Sequence, residues 1–242
     1  SRLEKQRRKI MAARILLALA FFLLWETAAD RGWIDSFFFS SPSRLGRLFL
    51  SMWRDGSLFL HVGITLTETL VSFALVVVIG LAVSLLLWLS DSVFQVLEPY
   101  LVILNSLPKS ALAPLLIVWL GANSRTIIVA GMSVAIFGTI LNLYTGFTET
   151  SREKIRLIYT LHGTKKDALT KVVLPSTVPM IISIMKVNIG LCLVGVVIGE
   201  FIGARNGLGY LIIYGSQVFQ LDLVILSILI LCLMAMLLYG GV

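Results

Sequence analysis

Residues 69–90 read Thr-Leu-Val-Ser-Phe-Ala-Leu-Val-Val-Val-Ile-Gly-Leu-Ala-Val-Ser-Leu-Leu-Leu-Trp-Leu-Ser, 22 consecutive positions without a charged side chain. As a helix rising about 1.5 Å per residue, this stretch covers the hydrocarbon thickness of a bilayer. Residues 126–148 and 223–242 are equally free of charge over 23 and 20 positions. The whole chain is 58% hydrophobic and only 14% charged, whereas a soluble domain carries about 25% charged residues. That balance excludes a disordered chain, and it supplies more apolar surface than one soluble core can bury. Twenty Lys and Arg against thirteen Asp and Glu raise the question of a nucleic-acid binder. The cations are clustered rather than spread along a face, so no nucleic-acid partner is expected. The sequence predicts an all-α, polytopic membrane protein.

Six crossings can be placed, at about Ala12–Ala29, His61–Leu89, Val93–Leu120, Thr126–Phe147, Pro175–Gly199 and Leu223–Tyr239. Cationic residues near span ends favour the cytoplasmic side. Two segments concentrate them. The tail of residues 1–14 and the connection between spans four and five, within residues 148–175, each hold six Lys and Arg, for net charges of +5 and +3. Six spans place both segments on one side, which puts the N- and C-termini in the cytoplasm and the chain in the cell inner membrane. The first apolar run is not a cleavable signal, because Glu26 and Asp30 stand where small residues would be needed. With no internal repeat, residues 1–242 read as a single transmembrane domain. Cys192 and Cys232 lie inside apolar runs and read as packing residues.

On the other side, Ser41-Pro42-Ser43 precedes a helical-period stretch (Leu45, Leu48, Phe49, Met52, Trp53) and predicts a capped interfacial helix. Asn206-Gly207-Leu208-Gly209 predicts a turn.

The fourth-to-fifth connection, Arg156-Leu-Ile-Tyr-Thr-Leu-His-Gly-Thr-Lys-Lys-Asp-Ala-Leu-Thr-Lys171 followed by Val172-Val-Leu-Pro175, is larger than a simple connector. Its apolar positions recur at helical spacing around a polar break at His162 to Asp167, predicting two short amphipathic helices and a turn. By pattern alone, such a segment suits an anionic lipid surface or a protein partner equally.

This segment resembles the EAA loop of binding-protein-dependent ABC importer permeases, E-A-A-x3-G-x9-I-x-L-P. Val172 falls on the apolar position before Leu174-Pro175, His162 on the glycine, and Arg156-Leu157-Ile158 on E-A-A, with Gly163 one place late. Leu107-Pro108-Lys109, Pro114-Leu115, Trp119-Leu120-Gly121, Gly199-Glu200 and Gly207-Leu208-Gly209-Tyr210 are similar to the nitrate/sulfonate/taurine-type group of that family. The resemblance implies a MetI-like permease fold. It also implies a second permease copy, two ATP-binding subunits, an extracytoplasmic solute-binding protein, and alternating access for a small polar or anionic solute such as a sulfonate or pyrimidine precursor. Ile158, Tyr159, Leu161, His162, Gly163, Thr164, Lys165, Asp167 and Pro175 would then form the ATPase-coupling site. Apolar Ile158, Tyr159 and Leu161 would fill a groove on the ATPase.

Within the spans, Gly195, Gly199 and Gly203 form a small-residue stripe for close helix packing. Lys109 follows Pro108 about midway along an apolar run, where a cation needs water or a partner, so both are candidates for the translocation pathway. Lys186 and Glu200, roughly 21 Å apart on one helix, are expected to reach opposite interfaces. His61 and His162 have no nearby ligand partners, and no metal site is expected. No Gly-x4-Gly-Lys-Ser/Thr loop occurs, so ATP and Mg²⁺ would belong to a partner chain and this chain would catalyse no covalent step. An ion-gradient-driven secondary transporter or channel is the alternative. It is disfavoured by the scarcity of acids in the spans (Glu68, Glu98) and the absence of repeated halves.

Overall fold

The computed structural model describes residues 2–242, and every regular element among them is helical. In chain order they are α1 (Arg2–Asp30), α2 (Ser36–Phe39), α3 (Pro42–Asp55), α4 (Ser57–Trp88), α5 (Asp91–Ser106), α6 (Lys109–Leu120), α7 (Ser124–Thr148), α8 (Arg152–Thr160), α9 (Lys165–Ala168), α10 (Leu174–Gly203), α11 (Leu208–Gln217) and α12 (Leu221–Gly241). Five helical stretches are long and apolar enough to cross a membrane, or six if the bent α5–α6 pair is one crossing. The chain divides into two compact units, one running to Leu60 and adding Leu211–Ile230, the other comprising His61–Tyr210 and Leu231–Val242.

In the first unit α1 buries no residue. An apolar helix exposed all round suits hydrocarbon rather than water. The predicted cap of α3 is present. Ser41 is in extended conformation and its hydroxyl accepts from the Arg44 N–H, Pro42 occupies the first turn, and Gly56 closes the helix with φ +81°. Glu26 of α1 accepts the Ser43 N–H at 3.0 Å, placing a carboxylate at the positive end of α3. Arg44 bridges the Ser36 carbonyl at 2.7 Å and the Asp222 carboxylate at 3.0 Å.

The second unit is organised around α7, which buries ten residues along its length. Against it lies α10, and the approach is close enough to require glycine. A Cβ on Gly195 would stand 2.7 Å from Gly131 Cα and 2.8 Å from the Ala130 carbonyl oxygen. One on Gly199 would meet Ala130 and Ile127 at 3.3 Å, while Gly203 lies against Ile117 of α6. Ser72 of α4 donates to the Ile128 carbonyl at 2.9 Å. Beyond, the rings of Phe94 and Tyr144 stack at 3.5 Å, within a core that includes Leu143, Phe147 and Val173.

Two expectations need correction. The predicted crossing Val93–Leu120 is not one continuous rod, because α5 and α6 meet at 94°. Pro108 supplies no N–H, and it drives Leu107 into extended conformation. The second amphipathic helix of the long connection is not separate either. It runs through a π-helical stretch, Leu169–Val173, directly into α10. The wider π turn accommodates Pro175, whose missing donor would interrupt an ordinary α-helical ladder.

Candidate functional site

The long connection begins with α8, whose isoleucines at 155 and 158 pack onto the bundle core. That leaves Leu157, Tyr159 and Leu161 on the solvent side, 57%, 45% and 69% exposed. Ile158 therefore does not belong to the outward apolar set predicted from sequence. Helical geometry turns it inward, and its neighbour Leu157 takes the outward place. The chain reverses at His162, which adopts φ +62°, a left-handed conformation that only glycine enters freely. Gly163 serves differently: a Cβ there would lie 2.5 Å from Ile158 Cγ2 and 2.8 Å from the Ile158 carbonyl oxygen. His162→Gly should therefore be tolerated or stabilise by up to about 1 kcal/mol, and Gly163→Ala should displace the turn. Parallel thermal unfolding of the two variants checks this, and equal effects would contradict it.

The turn is locked into α9 by a reciprocal cap. Asp167 accepts from the Thr164 N–H at 2.7 Å and the Thr164 hydroxyl at 2.8 Å, while that hydroxyl accepts the Asp167 N–H at 3.2 Å. The Thr164 N–H and hydroxyl hold the Asp167 carboxyl below the usual carboxylate range. The cap is therefore intact at neutral pH and is lost as pH falls through that lowered value. Lys165 lies 5.4 Å over the Trp88 ring. The outward face of the turn is thus tied rigidly to α10 through α9 and the π-helical stretch that precedes Pro175.

A second feature lies among α5, α7 and α10. A cavity of about 460 Å³ is lined by Asn105, Thr139, Asn142, Ser183 and Asn188 together with apolar residues. Lys109 is not part of this lining. Its ammonium donates to the carbonyls of Leu104, Asn105 and Leu107 at 2.6, 3.1 and 3.1 Å. It thereby caps the end of α5 that Pro108 leaves open, and it fixes the backbone of Asn105 beside the cavity.

The family model for the binding-protein-dependent transport system inner membrane component matches residues 76–241. The chain belongs to this family. It is 30% identical over 228 residues to a probable ABC transporter permease of Haemophilus influenzae, covering 94% of this chain and 92% of the relative. It is 28% identical to the formylaminopyrimidine transport permease of Halalkalibacterium halodurans over 195 residues, 81% of this chain and 77% of that one. With the Escherichia coli taurine transport permease it shares 25% identity over 224 residues, 90% and 81% of the two chains. Other relatives carry names for aliphatic sulfonate and nitrate transport. The fold matches a chain of the inward-facing methionine ABC transporter MetNI with a TM-score of 0.65 at 20% identity, over 75% of this chain and 90% of the other. The protein is an ABC importer permease with a MetI-like fold.

In this permease the buried acid Glu200 departs from its expected position. Rather than reaching an interface it is 1% exposed, hydrogen-bonded to Thr65 and to the Gly209 backbone and packed beside the equally buried Glu68 side chain. The Thr65 hydroxyl lies 2.8 and 3.1 Å from its two carboxyl oxygens, and the Gly209 N–H donates to it at 2.9 Å. Thr65 in turn accepts the Leu208 N–H at 2.9 Å, and His61 Nδ1 accepts the Gly207 N–H at 3.0 Å. Side chains of α4 and α10 thus satisfy successive donors where α11 begins, groups that would otherwise be buried without partners. Gly207 has φ +115°, and a side chain there would collide with the Glu200 carboxylate. The Gly-Glu and Gly-Leu-Gly segments read separately in the sequence are therefore two halves of one joint. The signal was the unexplained acid in an apolar helix; the missing information was its partner, 135 residues away. Lys186, by contrast, lies 5.6 Å over the Tyr239 ring.

Proposed function

We propose that this permease acts as one of a pair of membrane subunits in an importer driven by two separate ATP-binding subunits. The α8–α9 turn faces the cytoplasm and seats the ATPase, and an extracytoplasmic binding protein delivers solute to the opposite face. ATP-driven closure of the ATPase pair pulls on α9. The continuous α9–α10 helix carries that displacement into the wall of the cavity, giving alternating access. ATP and Mg²⁺ act on the partner chains, and this chain performs no covalent step. Pro108 and Lys109 hold the α5–α6 break beside the pathway. Relatives named for formylaminopyrimidine and taurine transport support a small polar solute.

The observation that carries this reading is the exposed triad Leu157, Tyr159 and Leu161 on an otherwise polar loop that is rigidly joined to α10. Such a patch matches a protein groove better than water. The test has two parts. Cysteines introduced at Lys165 and Asn206 should be labelled only from the cytoplasmic and the external side, respectively. The complex purified through this chain should contain an ATPase whose hydrolysis rises with loaded binding protein. Labelling of both positions from one side, or a complex without hydrolysis, would refute the assignment.

A further inference from the structure

The cavity among α5, α7 and α10 has chemistry specific enough to name its occupant's class. Its volume, about 460 Å³, falls in the range of small-molecule sites. Three carboxamides face it, one from each helix: Asn105, Asn142 and Asn188. The two hydroxyls beside them are already engaged, Thr139 with the Ala135 carbonyl at 2.6 Å and Ser183 with the Pro179 carbonyl at 3.1 Å. The carboxamides are not. Among the described residues the side chains of Asn105 and Asn142 make no hydrogen bond, and Asn188, only 3% exposed, has one weak contact to Met185 Sδ at 3.7 Å. Unpaired amides on membrane-spanning helices cannot face hydrocarbon without a cost of several kcal/mol each. Room for Asn105 is made by Gly138, where a Cβ would come within 3.1 Å of Asn105 Oδ1.

No charged side chain lines the cavity. The nearby Lys109 ammonium already serves three backbone carbonyls. An anion entering here would be desolvated without a counter-charge. It would also accept hydrogen bonds only, leaving the carboxamide oxygens facing it unpaired. A neutral molecule with alternating donors and acceptors can engage both ends of each amide.

Resting on the importer reading above, we propose that this cavity is a solute subsite selective for an uncharged molecule of amide, lactam or aminopyrimidine type, held by Asn105, Asn142 and Asn188. Asn105 and Asn142 are exposed at its mouth and Asn188 is buried at its base, so a ligand that fails to pair with Asn188 leaves that amide without a partner and is discriminated against.

The test uses the purified permease–ATPase complex in lipid nanodiscs, without binding protein. Binding of labelled formylaminopyrimidine and uracil is compared with that of ethanesulfonate and nitrate. ATP hydrolysis by the same unmodified complex reports independently on the importer reading, so failure of one is separable from failure of the other. Saturable binding of a neutral probe is expected, with the anions neither binding nor competing. Asn142→Ala and Asn188→Ala should each weaken it about tenfold, and Gly138→Leu should abolish it by filling the cavity. Three results would overturn the proposal: anion binding as tight as neutral binding, no neutral binding by a complex that hydrolyses ATP, or Asn142→Ala separating the permease pair while probe affinity stays unchanged. The last would make the amides a subunit seam.

Discussion

Leu161→Glu is expected to abolish coupling between this permease and its ATPase. Leu161 is 69% exposed at the end of α8, so the substitution leaves the folded chain undisturbed and membrane insertion should be normal. On the docking proposed above, the same side chain would enter a groove on the ATPase. A carboxylate desolvated there without a partner costs several kcal/mol, and each 1.4 kcal/mol is about a tenfold change in affinity. The ATPase should dissociate during purification, or hydrolysis should lose its response to loaded binding protein by at least about tenfold. Leu161→Met, which preserves the apolar surface, should retain both. Normal solute-stimulated hydrolysis by Leu161→Glu would mean that the ATPase docks elsewhere.

Glu200→Ala should produce the largest loss of stability. The carboxyl group fills a closed space and accepts from Thr65 and Gly209. Removing it orphans buried donors at about 1–3 kcal/mol each, besides opening a cavity. A total of about 2–5 kcal/mol is expected, read as a fall of several degrees in the temperature at which the detergent-solubilised protein remains monodisperse. Glu200→Gln keeps one acceptor oxygen and should lose less. Since the joint orders the start of α11, a cysteine at Asn206 should also become more reactive in the alanine variant. If Glu200→Ala unfolds at the wild-type temperature, the hydrogen bonds around Glu200 are not what holds this end together.

The two experiments probe opposite kinds of residue, and that contrast explains what could be read in advance. Leu161 belongs to a segment whose spacing, charge and family pattern all lie within a short stretch of chain. Glu200 does not. In isolation it was an acid near the end of an apolar helix, for which the interface is the ordinary destination. Its burial depends on Thr65 and on the Gly207–Gly209 backbone arriving from two other elements. Ile158 is a similar case on a smaller scale. Period alone identifies an amphipathic helix but does not say which face meets the bundle, and Ile158 and Leu157 exchanged roles once the core position was known.

By itself the sequence determined the helices and their membrane setting. Charge-free runs of 20 residues and more have few other stable forms in lipid, because every backbone polar group must be satisfied within its own segment. It also determined the cap at Ser41-Pro42, since capping is settled among neighbouring atoms. The tertiary structure alone decided the 94° turn at Pro108. A proline permits a kink by removing one donor, but its size depends on what α5 and α6 pack against and on Lys109 taking up the freed carbonyls. It likewise decided that three asparagines distant in sequence converge on one cavity. Local rules act over one or two turns of chain, whereas a site is made by the packing of helices whose separation in sequence carries no record of their distance in space.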